Sequence, residues 1–252
     1  MRKRFALCCC LVAAAAAAGC GAAATRSQPV TGAQAAAAQA ATPQTAGQTR
    51  PARPRPSSGS EFHDRLVEAA VERTSHQVRY DATYFRIPYP GGDVPAGVGV
   101  CTDEVIRSYR AVGVDLQREV HEDMAANFSA YPRKWGLKKT DTNIDHRRVP
   151  NLMVFFERQG AALPVTDRAA DYKPGDVVTW DLGNGLTHIG IVVNIPSEAD
   201  EGRLLIEHNI GAGPQIEDVL FNWKITGHYR YTGPKPKPQP QPQPSRERRR
   251  AR

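Results

Sequence analysis

Cys101 is the side chain in this sequence best suited to nucleophilic chemistry. It follows the glycine-rich residues 97–100 and directly precedes residues 102–112, whose apolar side chains recur at helical spacing. A thiol at the start of a helix faces unpaired backbone N–H groups and the positive end of the helix dipole, and both favour the thiolate. The same N–H groups could stabilise an oxyanion. We therefore interpret Cys101 as a nucleophile; a small core residue is the alternative for a lone cysteine.

His188 is the histidine, among the seven in the chain, whose position fits a general base. A thiol nucleophile needs an imidazole that takes its proton and later returns one to the leaving amine. His188 opens the apolar run His-Ile-Gly-Ile-Val-Val at residues 188–193, which follows a Gly-Asn-Gly turn and predicts a strand. Because side chains alternate along a strand, Gly190 shares the face of His188 and leaves room there for a chain or a ligand.

A dense polar segment lies at residues 141–148, just ahead of a predicted helix. It suggests either substrate recognition or a buried polar network that fixes the loop, and both interpretations stay open. In the first case, Arg147 or Arg148 would bind a substrate carboxylate and Asp145 an amine. Metal binding by Asp141, Asp145 and His146 matches no strong ligand signature, so we expect neither metal nor cofactor. The candidate substrate-binding residues are Asp103, Asn143, Asp145, His146 and Arg147.

The elements that must position these residues are helices in the first half of the domain and strands in the second. Apolar spacing predicts helices over residues 60–75, 102–112, 115–128 and 150–159. Strands are predicted over residues 177–180, 186–193, 204–208, 216–221 and 228–231, separated by turns that contain Gly or Pro. Helices followed by an antiparallel meander predict an α+β fold.

The two ends of the chain differ in composition from the middle. Residues 1–20 combine a basic start, an apolar stretch too short to span a bilayer and a final Ala-Ala-Gly-Cys that resembles a lipoprotein cleavage box. We expect a signal peptide over 1–20 with lipidation of Cys20; ordinary secretory cleavage nearby is the alternative. The Ala-, Gln- and Pro-rich residues 21–58 predict a disordered tether. Residues 234–252 predict a disordered, Pro-rich basic tail, which leaves one globular domain over 59–233.

Cysteine count and charge restrict the function of that domain. Cys101 is its lone cysteine, so the mature domain cannot form an internal disulfide. The chain carries a formal charge of +7, but the basic residues of the two ends exceed this sum and leave residues 59–233 net negative. A nucleic-acid-binding domain is therefore disfavoured, and we expect a monomer.

The middle of the chain resembles known bacterial domains. Residues 174–178 followed by residues 188–192 resemble the core hairpin of the NlpC-type cell-wall cysteine peptidases, papain-like enzymes in which Cys opens a helix and His lies on a strand. More closely, the chain resembles the family known as domain of unknown function 1287. The matching runs are residues 89–95, 100–103, 141–151, the hairpin just named and 208–211.

The resemblance to NlpC-type enzymes implies a papain-like α+β fold and a catalytic Cys, His and third polar residue from the next strand. That residue would be His208, with Asn209 as the alternative, because only one of the two can share a face with His188. The implied activity is hydrolysis of an amide bond in cell-wall stem peptides, at the periplasmic or cell-surface side of the membrane that anchors Cys20. A non-catalytic wall-binding lipoprotein with the same fold is the alternative.

Overall fold

The computed structural model describes residues 55–234. The expected signal peptide, the expected lipidation site Cys20, most of the expected tether and almost all of the basic tail lie outside these residues. None of the helices within residues 55–234 has the length and the apolar character needed to cross a membrane.

The first half of the domain forms four α-helices, each beginning and ending within two residues of the sequence prediction. They are α1 (Glu61–Arg73), α2 (Cys101–Ala111), α3 (Leu116–Ala126) and α4 (Val149–Arg158). Side-chain chemistry marks their starts: the Asp115 carboxylate accepts a hydrogen bond from the Arg118 N–H, and Pro150 lies in the first turn of α4. Helix α2 begins on Cys101 itself, so the thiol belongs to its first turn.

Seven strands complete the domain. They are β1 (Arg79–Tyr80), β2 (Val98–Gly99), β3 (Val177–Gly183), β4 (Leu186–Pro196), β5 (Leu204–His208), β6 (Gln215–Glu217) and β7 (Lys224–Tyr229). The short strands β1 and β2, absent from the prediction, pair in parallel. The other five form one antiparallel sheet in the order β6-β5-β4-β3-β7, so the fold is α+β as expected.

Two details of the sheet correct the sequence prediction. The strand expected over residues 216–221 stops at Glu217, because Val219 and Leu220 turn back and bury their side chains against the sheet. Strand β7 pairs with β3 instead of extending the meander beyond β6. The indole N–H of Trp180 on β3 donates a hydrogen bond to the Leu220 carbonyl at 2.9 Å, which fixes this turn over the sheet.

The sheet carries a hydrophobic core on each face. On one face the helices pack against β3 and β4, and that core includes Leu66, Val105, Tyr109, Phe156, Ile189 and Ile191. On the other face the segment after β6 covers a smaller core that includes Val178, Trp180, Val192, Ile206 and Leu220. Ile189 and Val192 thus point in opposite directions, and this alternation sets the face on which each polar residue of β4 lies.

Gly190 allows β4 and β5 to approach closely. A Cβ atom at this position would lie 2.7 Å from the Glu207 carbonyl oxygen and 3.1 Å from the His208 Cβ. The room expected beside His188 is therefore filled by the neighbouring strand rather than by a ligand. This close approach brings the side chains of the two strands together at the candidate site.

Candidate active site

Cys101 lies at the amino end of α2, facing backbone N–H groups. The first turn is closed by Asp103, whose carboxylate accepts a hydrogen bond from the Val100 N–H at 2.7 Å. Backbone N–H groups of Cys101, Thr102 and Ile189 are directed at the sulfur, and each lowers the pKa of the thiol. Ile189 directly follows His188, so the nucleophile candidate lies against the strand that carries the candidate base.

Burial reverses the ionisation expected for Cys101. The side chain is only 5% exposed, and loss of hydration raises the pKa of the thiol to about 12 in spite of the three N–H groups. The charge of Asp103, two residues along the same helix, also raises it. The expectation that the helix start favours a thiolate is therefore wrong for the resting protein, in which Cys101 is a neutral thiol at pH 7.

His188 and His208 form a hydrogen-bonded pair on adjacent strands. The Nε2 atom of His188 lies 2.8 Å from the Nδ1 atom of His208, and both rings are buried. The other ring nitrogen of His208, Nε2, lies 2.9 Å from a carboxylate oxygen of Glu217 on β6, at an angle too bent for a full hydrogen bond. Three side chains from three neighbouring strands thus form one continuous chain of polar contacts.

The contact with Glu217 indicates the proton positions in this chain. A carboxylate only accepts hydrogen bonds, so His208 carries its proton on Nε2 and presents a lone pair on Nδ1. His188 must then donate from Nε2, which leaves its Nδ1 atom unprotonated. Burial, followed by the charge of His208, lowers the pKa of His188 to about 3. His188 is therefore a neutral imidazole, and its pKa of about 3 makes it a weaker base in the resting protein than a general base working near pH 7.

Cys101 and His188 approach β4 from different sides. His188 lies on the face of the second core, where its ring centroid is 5.7 Å from that of Trp180 and 5.9 Å from that of Trp223. Cys101 packs with the helix-side core, next to Thr187. Within residues 55–234 no hydrogen bond joins the thiol to the imidazole. The two side chains lie on opposite faces of the sheet, so the structure does not bring the candidate nucleophile and the candidate base together.

Asn209, the alternative third residue, does not contact His188. Its side-chain oxygen accepts a hydrogen bond from the Gly211 N–H at 3.1 Å, and its amide nitrogen is buried without a partner among the described residues. The regular alternation of β5 accounts for this difference, since His208 and Asn209 are successive residues and point to opposite faces. The structure therefore favours His208 over Asn209 as the partner of His188.

A cavity of about 410 Å³ opens beside Cys101. This volume lies in the range of small-molecule and peptide-side-chain sites. Three aromatic and two basic side chains contribute to its lining, and no acidic residue belongs to it. The lining residues are Tyr80, Ala82, Tyr84, Val100, Cys101, Thr102, Trp135, Ile144, Arg147, Arg148, Val149, Pro150 and Thr187.

Arg147 and Asp103, both proposed from the sequence to bind substrate, bind each other. The guanidinium donates to both carboxylate oxygens, from Nε at 2.8 Å and from Nη2 at 2.9 Å, and both side chains are almost fully buried. A third bond from Arg147 reaches the Thr83 carbonyl at 3.1 Å. This pair joins the start of α2 to residues 81–83, so its role in the resting structure is to position Cys101 and the cavity wall.

Asp141, Asn143 and Asp145 form a polar network, as in one of the two interpretations of the segment, but only Asp145 is buried and the other two are partly exposed. Asp145 is fully buried and accepts hydrogen bonds from the Asp141 N–H at 2.7 Å and from His121 at 3.2 Å. Asn143 bonds to Asp141 and to the Tyr84 hydroxyl, each at 2.8 Å.

His146 is also buried, and burial lowers its pKa to about 3. Neither Asp145 nor Asn143 nor His146 lines the cavity. Within residues 55–234, no cluster of three or more His, Cys, Asp or Glu side chains could hold a metal ion.

Comparison with known proteins places the chain in a family. The family described as "Domain of unknown function (DUF1287)" matches residues 67–231, which run from within α1 to just beyond the end of β7. The chain belongs to the DUF1287 family. The "Uncharacterized protein YijF" of Escherichia coli (strain K12) is 52% identical over 166 residues, covering 66% of this chain and 80% of the relative. No solved structure matches the chain.

Three residues of this DUF1287 site escaped the sequence analysis. Glu217 lies in a segment predicted only as a strand, and its contact with His208 depends on how β6 pairs with β5. Trp223 lies in a turn that was not anticipated, and it packs against both histidines. Tyr80 lines the cavity from β1, a two-residue strand too short to give a periodic signal. Each of the three reaches the site through tertiary contacts that local sequence patterns do not specify.

The ionisation of Cys101 leads to a prediction for this DUF1287 domain. We expect iodoacetamide to modify Cys101 more slowly at pH 7 than it modifies a free thiol, because the folded protein buries the sulfur and raises its pKa to about 12. The rate should rise continuously between pH 7 and pH 10. Mass spectrometry of the peptide that contains Cys101 measures the rate, and the urea-unfolded chain is the control. A rate at pH 7 equal to that of the unfolded chain would contradict this ionisation.

Proposed function

We propose that this protein is an exported cysteine amidase or peptidase that hydrolyses an amide bond in cell-wall stem peptides. The observation that carries the proposal is the 2.8 Å hydrogen bond by which His208 orients His188, on the strand whose next residue, Ile189, contacts Cys101 through its backbone. A thiol at a helix start and an imidazole oriented by a second polar side chain are the groups that nucleophilic acyl transfer requires, and the proposal needs them to move into contact.

The proposed reaction starts from a neutral thiol and a neutral imidazole. The proposal requires that substrate binding rearrange the start of β4 so that His188 reaches Cys101; the imidazole then takes the thiol proton as the sulfur attacks the amide carbonyl carbon. Backbone N–H groups at the start of α2 stabilise the oxyanion. The carbon–nitrogen bond then breaks, and His188 gives its proton to the leaving amine.

Hydrolysis of the thioester completes the cycle. With the amine gone, His188 takes a proton from water, hydroxide attacks the acyl carbon, and the thiol of Cys101 is restored. His208 does not touch the reacting atoms; it positions His188 and fixes its tautomer. Glu217 acts in the same way on His208. Burial holds the pKa of His188 at about 3 and that of Cys101 at about 12, so the proposal also requires that substrate binding raise the first and lower the second.

The finer fold assignment and the location belong to the same proposal. A Cys at a helix start, a His on a strand and a polar partner on the next strand support a papain-like, NlpC-like fold. The basic and apolar residues 1–20 support export, and the Ala-Ala-Gly-Cys sequence supports lipid anchoring through Cys20, which would hold the domain near its wall substrate. We propose that the protein acts as a monomer and without a cofactor.

Muropeptide analysis tests this proposal. Purified wall material is incubated with the full-length protein or with its Cys101→Ser variant, and the products are identified by mass spectrometry. We expect wild type alone to release peptides whose mass shows the addition of one water across one amide bond. Identical product patterns for wild type and Cys101→Ser would rule out Cys101 as the nucleophile.

The buried thiol supports a second candidate, a non-catalytic wall-binding domain. Cys101 is 5% exposed, belongs to the helix-side core and makes no hydrogen bond with His188, as expected of a core cysteine. The two functions differ in what Cys101→Ala does. A catalytic cysteine is needed for turnover, whereas a core cysteine affects only stability. Wall binding by wild type, with no release of peptide under any condition, would favour the second candidate.

A further inference from the structure

Arg148 is the cation of the Cys101 cavity that lacks a protein carboxylate as its partner. Its guanidinium stacks on the Trp135 ring at 4.3 Å from the centroid, and both side chains line the cavity. The Nη1 atom is buried and has no hydrogen-bond partner among residues 55–234. A partly buried guanidinium remains charged at every physiological pH, so this cation favours an anion in the adjacent space.

The neighbouring residue, Arg147, has a guanidinium whose hydrogen bonds and charge are satisfied by groups of the protein. It makes two parallel bonds to Asp103 and a third to a backbone carbonyl. Its positive charge is therefore neutralised within the protein. Two adjacent arginines face one cavity, and only the second of them is available to a ligand.

The two carboxylates whose charges affect the pKa of Arg148 are hydrogen-bonded to other groups. Asp141 and Asp145 both raise its pKa, against a larger lowering by burial. The Asp141 carboxylate accepts bonds from the Tyr84 hydroxyl and from Asn143, and that of Asp145 accepts a bond from the Asp141 N–H. Neither lines the cavity, whose lining contains no acidic residue.

A tight turn places Trp135 at the rim of the cavity. Trp135 and Gly136 are its two central residues, with φ of 60° and 66°, and the Leu137 N–H closes it on the Lys134 carbonyl at 3.3 Å. Trp135 is 55% exposed. Stacking of the ring on Arg148 at the cavity rim is the contact that the conformation provides. Such a stack holds the planar guanidinium in one orientation.

We propose that Arg148 and Trp135 form a carboxylate-binding subsite next to Cys101, so that the substrate carries a free carboxylate close to the amide bond that is cleaved. The guanidinium binds the carboxylate, and Trp135 keeps its plane in the orientation needed for paired hydrogen bonds. This inference rests on the proposed function and narrows its substrate class to acidic peptides. It also assigns the recognition role to Arg148, because Arg147 is occupied.

Equilibrium binding tests the subsite without requiring turnover. The Cys101→Ala variant of the full chain is titrated calorimetrically with N-acetyl-L-alanyl-D-glutamate and, separately, with the corresponding diamide. We expect the acid to bind about 10-fold more tightly than the diamide, the effect of one charge-assisted hydrogen-bonded pair. Adding Arg148→Gln should abolish this preference. Arg148→Lys, which keeps the charge but not the planar stack, should retain only part of it.

Arg133→Gln is the matched control, since it removes the same charge from an exposed residue near Trp135 that does not line the cavity. We expect it to keep the full preference. The subsite is overturned if acid and diamide bind equally to the parent, if neither binds, or if Arg133→Gln removes the preference as well. Circular dichroism must show that each variant is folded. A separate measurement tests the acyl-transfer proposal itself: if Cys101→Ala keeps the turnover of wild type, that proposal is wrong whatever the binding data show.

Discussion

Turnover should fall by about 10⁴-fold or more when either Cys101 or His188 is replaced by alanine, and hardly further when both are replaced. The nucleophile and the base act in one step, since the neutral thiol, with its pKa of about 12, cannot attack until the imidazole takes its proton. Removing either group therefore removes the whole reaction. The losses in activation free energy should not add, and initial rates of wild type, both single variants and the double variant measure this directly.

Variants at the third position serve as controls for the same experiment. His208→Ala should lower turnover less than His188→Ala, because it misorients the base without removing it. Asn209→Ala should be nearly silent, since this side chain bonds only to the Gly211 N–H. The order of the two effects would reverse if β5 presented its other face to His188. Additive losses for Cys101→Ala and His188→Ala would show that the two residues act independently.

The largest effect on stability is expected at the pair of Asp103 and Arg147. Arg147→Met should reduce the free energy of unfolding by about 3–5 kcal/mol, because it leaves the Asp103 carboxylate buried without its counter-charge. The double variant Asp103→Leu/Arg147→Met should recover part of this loss, since it buries no unpaired charge. Urea denaturation monitored by circular dichroism gives the free energy of unfolding for each protein.

Arg168→Met provides the matched control for this prediction. Arg168 also forms an ion pair, with Asp171, but its side chain is 74% exposed. Exposed pairs contribute about 0–1 kcal/mol, so this substitution should have little effect on unfolding. Equal losses at Arg147 and Arg168 would contradict the importance given to the buried pair. Restoration by the double variant distinguishes loss of charge balance from simple loss of packing.

Local patterns predicted the helices and the central strands of the fold. Apolar side chains at helical spacing are sufficient to define α1 to α4, because each helix buries one face in the helix-side core. The conformation of residues 218–223 could not be predicted from such local patterns. Val219 and Leu220 have the composition of a strand, but their side chains close the second core in a turn, which depends on Trp180 from a distant strand.

The candidate site was predictable to the extent that its residues lie in recognisable local settings. The sequence places Cys101 at a helix start and His188 and His208 on two successive strands. The contact between His188 and His208 is confirmed. Ionisation was not predictable, because the burial that raises the pKa of Cys101 comes from packing of α2 on β4. The occupation of Arg147 by Asp103 likewise depends on contacts between residues 44 positions apart.

Acyl transfer to Cys101 can be measured most directly by trapping the covalent intermediate. An activated ester of the stem-peptide acyl group makes formation of the thioester fast and leaves its hydrolysis as the slow step. The reaction is quenched in acid and the modified peptide is identified by mass spectrometry. We predict that the acyl group is found on Cys101 in wild type, that it accumulates in His188→Ala at a much lower rate, and that Cys101→Ala carries none. Turnover of the ester by wild type with no acyl group ever attached to Cys101, or turnover by Cys101→Ala at the wild-type rate, would contradict the proposed mechanism.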